Sequence, residues 1–344
     1  MTVRRWLIVV CSAVLGSGAL WPTLAQRAPT VPLPDARTTV AAEPEIDTGL
    51  GEQIVRLPIT VKLAGGRTHA GTFVLTVFKP PGPGPFPVVI ASHGRDGVKQ
   101  KRAEFKRSRL LRNHFVHRGF VVLAPTRIGY GPSGADVDPE QPAAANETCQ
   151  TRTFSGVTDN VAGHIAASLQ WAASQSYIDL DRVILAGGSA GGFGSIVAAG
   201  QRPRGLRGVI NFAGGMGGST DTRPGSPCGF NDVETRMADA GRRNPLPTIW
   251  IYSENDRLWG NLIPRAWHQA YEKAGGLAAF HMLGPLGEDG HDIIGPGADK
   301  WRPLVDRFLE AQGFEPRKAP PGSPPQSRFA RLDEVARVPL INDK

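Results

Sequence analysis

The chain has 344 residues, 40% of them hydrophobic and 20% charged, with a formal net charge of +8. This balance supports a globular fold with a sizeable core and excludes a disordered chain. The basic residues are scattered except for a run from Lys99 to Arg112, and no nucleic-acid-binding motif accompanies that run, so no nucleic-acid partner is expected.

The first 25 residues read as an export signal: Arg4-Arg5, an apolar stretch from Trp6 to Leu20, and a small-residue cleavage site at Thr23-Leu24-Ala25. The apolar stretch is short for a membrane span and is broken by Gly16, Gly18 and Pro22. Cleavage near Ala25, export to the periplasm or the exterior, and no stable membrane insertion are therefore expected. Residues 26–48, rich in Ala, Pro and Thr, read as a flexible leader. One catalytic domain is expected over residues 49–314, followed by a Pro-rich tail over 315–344.

Within that domain, Ile54 to Leu63 and Thr72 to Phe78 alternate around Ala-Gly-Gly-Arg, a hairpin signal that puts His69 in the turn. A stiff connector, Pro80 to Pro87, follows. Short apolar strands are then predicted at Val88–Ser92, Phe120–Ala124, Val183–Ala186, Val209–Phe212, Thr248–Tyr252 and Ala278–Leu283. Helical patterns alternate with them at about 102–117, 158–174, 191–200, 230–242, 264–275 and 298–312. Continuous apolar strands alternating with helices predict an α/β fold: a mostly parallel sheet covered on both faces, with the antiparallel hairpin at one end.

The chemistry centres on Gly187-Gly188-Ser189-Ala190-Gly191, which joins a predicted strand to a predicted helix. A serine on so sharp a turn must expose its Oγ at the sheet edge, and the flanking glycines leave room for the strained backbone. Its hydroxyl needs a base, and the base needs an orienting acid, both in loops after later strands. Asp256 follows the strand Thr248–Tyr252 and is the candidate acid, with Glu254 as its rival. His291, in the glycine-rich stretch Gly287 to Asp292, is the candidate base. The backbone N–H of Ala190 is one candidate donor to an oxyanion. The other lies in Ser92-His93-Gly94-Arg95, where Arg95 is the first choice, Gly94 the fallback, and His93 structural.

Cys149 and Cys228 remain after removal of the signal, and both fall in loops that follow strands, so a disulfide across the rim of the site is expected. Tyr130, Phe154, Phe230 and Trp259 are candidates for a moderately apolar pocket wall, each equally suited to ordinary packing. The glycine-rich stretch from Gly187 cannot be aligned to G-x-G-x-x-G, and neither a phosphate-binding loop nor H-E-x-x-H occurs. No metal and no cofactor are expected.

The segments Phe86 to Gly94, Arg127-Ile-Gly-Tyr-Gly131-Pro-Ser-Gly134, Gly187 to Gly192, Tyr252 to Asp256 and Gly290-His291 together resemble the α/β-hydrolase superfamily, and within it the exported dienelactone-hydrolase-like group. The resemblance spans roughly residues 52–313 and implies a Ser–His–Asp hydrolase acting on a small-molecule carboxylic ester. Dienelactone hydrolases proper use cysteine as nucleophile, whereas this chain has Ser189, so their substrate is not carried over. A small-peptide amidase with the same triad, and a non-catalytic binding protein on a hydrolase fold, are the alternatives.

Overall fold

The computed structural model describes residues 47–315 apart from 64–65, 97–105, 107–108, 135 and 142–146. The expected export signal, nearly all of the leader and of the Pro-rich tail, and most of the basic run lie outside the described residues.

Eight strands are present: β1 (Glu52–Lys62), β2 (Thr68–Phe78), β3 (Phe86–Ser92), β4 (Val121–Thr126), β5 (Ile178–Gly188), β6 (Leu206–Phe212), β7 (Thr248–Ser253) and β8 (Ala278–Leu283). They form one sheet in the order β1-β2-β4-β3-β5-β6-β7-β8. The β1–β2 and β2–β4 pairs are antiparallel, and every other pair is parallel. Helices pack on both faces: α1 (Arg109–His117), α2 (Ser155–Ala172), α3 (Ala190–Ala199), α4 (Phe230–Arg243), α5 (Ile263–Lys273) and α6 (Ala298–Ala311).

Burial explains the order. Strands β4 and β7 are buried at every residue, and such strands hold the middle of a sheet covered on both sides. Edge strand β1 instead alternates exposed with half-buried positions along most of its length. Helix α3 is buried at nine of its ten residues, which its small and apolar sequence permits at the centre of the fold. The others carry a polar face.

Register fixes what meets at the carboxyl edge of the sheet. Ser92 of β3 lies opposite Gly187 of β5, and Gly188 lies opposite Phe212 of β6. Ser253 of β7 lies opposite Leu283 of β8. The loops after β3, β5, β7 and β8 therefore leave the same edge, where ligands of open α/β sheets bind.

Two details differ from the predicted elements. His69 sits inside β2 opposite Val61, not in the turn, because the turn closes earlier through Leu63 N–H to the Arg67 carbonyl at 2.7 Å. Strand β5 starts at Ile178, five residues before its apolar signal, since the polar residues Asp179, Asp181 and Arg182 remain extended around Leu180. Helix α1 is described from Arg109, and Lys106 adopts no regular structure; the rest of the predicted span before Arg109 lies outside the described residues. Cys149 and Cys228 form a disulfide with Cα atoms 4.5 Å apart, tying the loop before α2 to the loop before α4. No helix among the described residues is long and apolar enough to cross a membrane.

Phe73 of β2 is fully buried and meets the His164 ring of α2 edge-on at 4.8 Å. Phe73→Ala is expected to cost about 3–5 kcal/mol of unfolding free energy, read from urea denaturation, because it leaves a large cavity between sheet and helix.

Candidate active site

Ser189 sits between β5 and α3 with φ 53° and ψ −125°, a left-handed backbone that costs a non-glycine residue roughly 1–3 kcal/mol. The surroundings over-determine it. Ser189 N–H donates to the Phe212 carbonyl at 2.9 Å, and its carbonyl accepts from Phe193 N–H at 3.0 Å. A side chain on Gly191 would overlap the Ser92 and His93 carbonyls, so only glycine lets α3 start against the β3 loop. The Ala190 N–H, in the first turn of α3, has no intrahelical acceptor and lies at the positive end of the helix.

The Ser189 hydroxyl makes no hydrogen bond to another described residue. It opens into a cavity of about 360 Å³ shared with His291, Gly94, Arg95, Phe212 and Ile294. His291 Nδ1 lies 3.0 Å from Asp256 Oδ2. Asp256 is buried at 2% exposure, and its Oδ1 accepts the N–H groups of Leu258 at 2.8 Å and Trp259 at 3.0 Å. A carboxylate that already accepts two amides is an acceptor towards the ring as well, so Nδ1 is the donor to it and the neutral form of the ring carries its lone pair on Nε2. The Trp259 ring backs His291 edge-on at 5.4 Å. Glu254 is exposed, and only its backbone is engaged, with N–H to the Leu283 carbonyl at 3.0 Å. The structure thus brings His291 to Asp256 and leaves Glu254 outside.

Asn255, which the sequence did not single out, joins the two loops that carry these residues. Its amide donates to the Leu286 and Gly287 carbonyls at 3.3 and 3.1 Å, and its Oδ1 accepts Leu286 N–H at 2.9 Å. Its carbonyl accepts Gly290 N–H at 3.1 Å, immediately before His291.

The β3 loop faces the serine from the other side. A Cβ on Gly94 would come within 3.3 Å of Ser189 Cβ. His93 is held below the loop: its Nδ1 donates to the Gly94 carbonyl at 2.7 Å and its Nε2 accepts Arg127 N–H at 3.2 Å. The Arg95 side chain turns away to Asp138 and Glu140, both near 3 Å. Glu140 also takes Arg127 Nε at 2.7 Å, Tyr130 O–H at 2.7 Å and Asn160 Nδ2 at 3.0 Å. This buried network was missed in the sequence. Its one visible sign is Arg127, the first residue of the quoted Arg-Ile-Gly-Tyr-Gly segment.

None of the four aromatic residues expected to line a pocket lines the cavity of Ser189. Tyr130 is buried on Glu140 and His93, Phe154 lies in the core, Phe230 stacks on Trp267, and the Trp259 indole N–H is bound to the Ala213 carbonyl at 2.8 Å. Their rings are consumed in packing and in backing other side chains. The apolar wall comes instead from Phe212, Ile293 and Ile294.

Among known proteins, the model of a family described as the dienelactone hydrolase family matches residues 73–260. No curated protein matches the chain significantly. Among solved structures, the acylaminoacyl peptidase of Pyrococcus horikoshii is 13% identical with a TM-score of 0.53, over 81% of this chain and 44% of that one. A puromycin-hydrolyzing peptidase of Mycobacterium tuberculosis is 16% identical with a TM-score of 0.51, over 76% of this chain and 41% of its own. A lipase/esterase of Lactobacillus plantarum is 16% identical with a TM-score of 0.49, over 76% of this chain and 99% of its own. At these identities the likeness is one of fold, and the chain spans less than half the length of the two peptidases.

Two histidines near the site are held neutral. Burial lowers the His93 pKa well below the usual range, and the Arg127 charge adds to it. Burial likewise lowers His164 to about 3, against the hydrogen bond to the Asn160 carbonyl, which favours the charged form. The unfolded chain therefore binds protons first, and the stability contributed by these neutral rings is complete above about pH 6.5 and lost as pH falls towards 3. The ring resonances of His93 and His164 are expected not to titrate in NMR spectra of the folded protein between pH 8 and 5, while the urea midpoint declines below about pH 6.5.

Proposed function

Because the chain belongs to the dienelactone hydrolase family, and is on that ground a hydrolase of small molecules, we propose that it is a serine hydrolase cleaving carboxylic esters through an acyl-enzyme. The observation that carries the reading is the His291–Asp256 hydrogen bond at 3.0 Å in the cavity into which Ser189 opens from a left-handed turn. Ser189 is the nucleophile, His291 the general base and Asp256 the acid that orients it.

In this mechanism His291 Nε2 takes the hydroxyl proton as Ser189 Oγ attacks the ester carbonyl. The bond to Asp256 fixes the tautomer and stabilises the imidazolium that forms. The carbonyl oxygen becomes an oxyanion held by the N–H groups of Ala190 and Arg95, with Gly94 as the alternative second donor. Collapse expels the alkoxide, which takes the proton from His291. Water then repeats the sequence on the acyl-enzyme and releases the acid. The turn at Ser189 favours this role, since its strained backbone is what aims Oγ outward from the sheet edge.

The Cys149–Cys228 disulfide supports action in an oxidising compartment, in keeping with the expected export signal. The apolar wall of Phe212, Ile293 and Ile294 supports an acyl group packed against it.

Hydrolysis of p-nitrophenyl esters from acetate to decanoate, by wild-type protein beside Ser189→Ala, tests this. Turnover is expected on acetate and butyrate, less on decanoate, and a loss of at least about 10³-fold in kcat in the variant. Equal turnover in both proteins would remove Ser189 from the mechanism, and absence of turnover in the wild type would count against an esterase.

A further inference from the structure

The network behind the β3 loop has a geometry that packing alone does not require. Arg127 is completely buried, and its guanidinium is divided among three acceptors. Nε donates to Glu140 at 2.7 Å, Nη1 to the His93 carbonyl at 2.7 Å, and Nη2 to the Gly94 carbonyl at 3.2 Å. The two carbonyls belong to successive peptide groups. In a planar trans peptide the C=O and N–H point in opposite directions. Holding the His93 carbonyl therefore fixes the direction of Gly94 N–H, and holding the Gly94 carbonyl fixes that of Arg95 N–H. These are the two candidate second donors to the oxyanion.

Gly94 lies against Ser189, and both Gly94 and Arg95 border the cavity into which the hydroxyl opens. Neither N–H has an acceptor among the described residues, although nearly all peptide donors in a folded chain find one. The Gly94 carbonyl also receives His93 Nδ1 at 2.7 Å, so the 94–95 peptide is gripped twice on its carbonyl side.

We propose that Arg127, locked by Glu140, is the positioning residue of the oxyanion site: one guanidinium fixes both peptide groups whose N–H ends face Ser189. This rests on the serine-hydrolase reading above and holds whichever of the two amides is the second donor. A cation on the carbonyl end of a peptide also polarises its N–H, so the clamp strengthens the donor as well as aiming it. Glu140 completes the device, because its second oxygen holds Arg95, and the one carboxylate thereby secures residues 93, 94 and 95. Although burial alone would raise its pKa, the charges of Arg127 and then Arg95, with hydrogen bonds from Arg127 and Tyr130, hold it at about 2. The clamp stays ionised throughout the pH range in which an imidazole base works.

The test is the rate at which a fluorophosphonate labels Ser189, followed by mass spectrometry, together with ester kinetics, for wild type, Arg127→Lys and His93→Ala. Lysine keeps the charge but cannot reach both carbonyls and Glu140 as a fork. In folded Arg127→Lys, labelling and kcat are expected to fall roughly 100-fold, with KM within about threefold of wild type and the pH profile unmoved. His93→Ala removes one grip on Gly94 and leaves the Arg127–Glu140 pair, so a loss of roughly tenfold is expected, again in kcat. Labelling of Arg127→Lys at the wild-type rate, or a rise in KM at constant kcat, would overturn the proposal while leaving the serine-hydrolase reading intact. If Arg127→Lys does not fold, His93→Ala decides: unchanged kcat overturns the clamp. Failure of the wild type itself to be labelled would instead overturn the reading on which the proposal stands.

Discussion

The left-handed backbone at Ser189 is the constraint on which the site depends. A single non-glycine residue at φ 53° persists only where its neighbours leave no alternative, and here they come from β6 and the loop after β3. The Phe212 carbonyl of β6 holds the serine amide, and the β3 loop presses on Gly191. Asn211 of β6 presses on Gly192, where its side chain leaves no space for a Cβ. The strain of one turn is thus borne by the middle of the sheet, the part of the molecule with least freedom to relax. That is why the hydroxyl can project into a cavity without a hydrogen bond to hold it.

Much of this was legible in the sequence. The order of strands and helices follows from apolar runs alternating with amphipathic stretches, and Ser189, Asp256 and His291 from their places after β5, β7 and β8. Positions that obey a local rule were readable: a glycine-flanked serine, an acid after a strand, a histidine in a flexible loop. Boundaries carried by polar residues in extended strands were not, as Asp179, Asp181 and Arg182 in β5 show. The four aromatic residues assigned to a pocket failed for a different reason. An aromatic side chain in a loop gives no local sign of whether it faces a cavity or the core, and here Trp259 and Tyr130 back the histidine and the carboxylate network instead.

The least legible part is the long irregular segment between β4 and α2. It supplies Asp138 and Glu140, which are distant in sequence from the loop they support, and no periodicity marks them. Buried carboxylates are costly unless paired and hydrogen-bonded, so Glu140 at 3% exposure is informative only once its two arginines are seen. The same physics makes the network resistant to partial change. Removing either arginine would leave a buried charge short of a partner, whereas a surface ion pair such as Arg204–Asp181 could be lost with little effect.

Among the described residues, that segment is held to other parts of the fold at several places, two of which bear on the loops at the carboxyl edge. Its Asp138 and Glu140 carboxylates bind Arg95 of the β3 loop, with Arg127 of the segment itself also on Glu140; near its end Cys149 is covalently joined to Cys228, and its carbonyl accepts Gly229 N–H at 2.7 Å. The two anchors act on different loops of the same edge, one after β3 and one after β6. A long irregular connection would otherwise lose much conformational entropy for few contacts. Charge and hydrogen bonds supply the first anchor and a covalent bond the second. The sheet therefore places Ser189, while the irregular segment sets the electrostatic surroundings of the β3 loop that faces it.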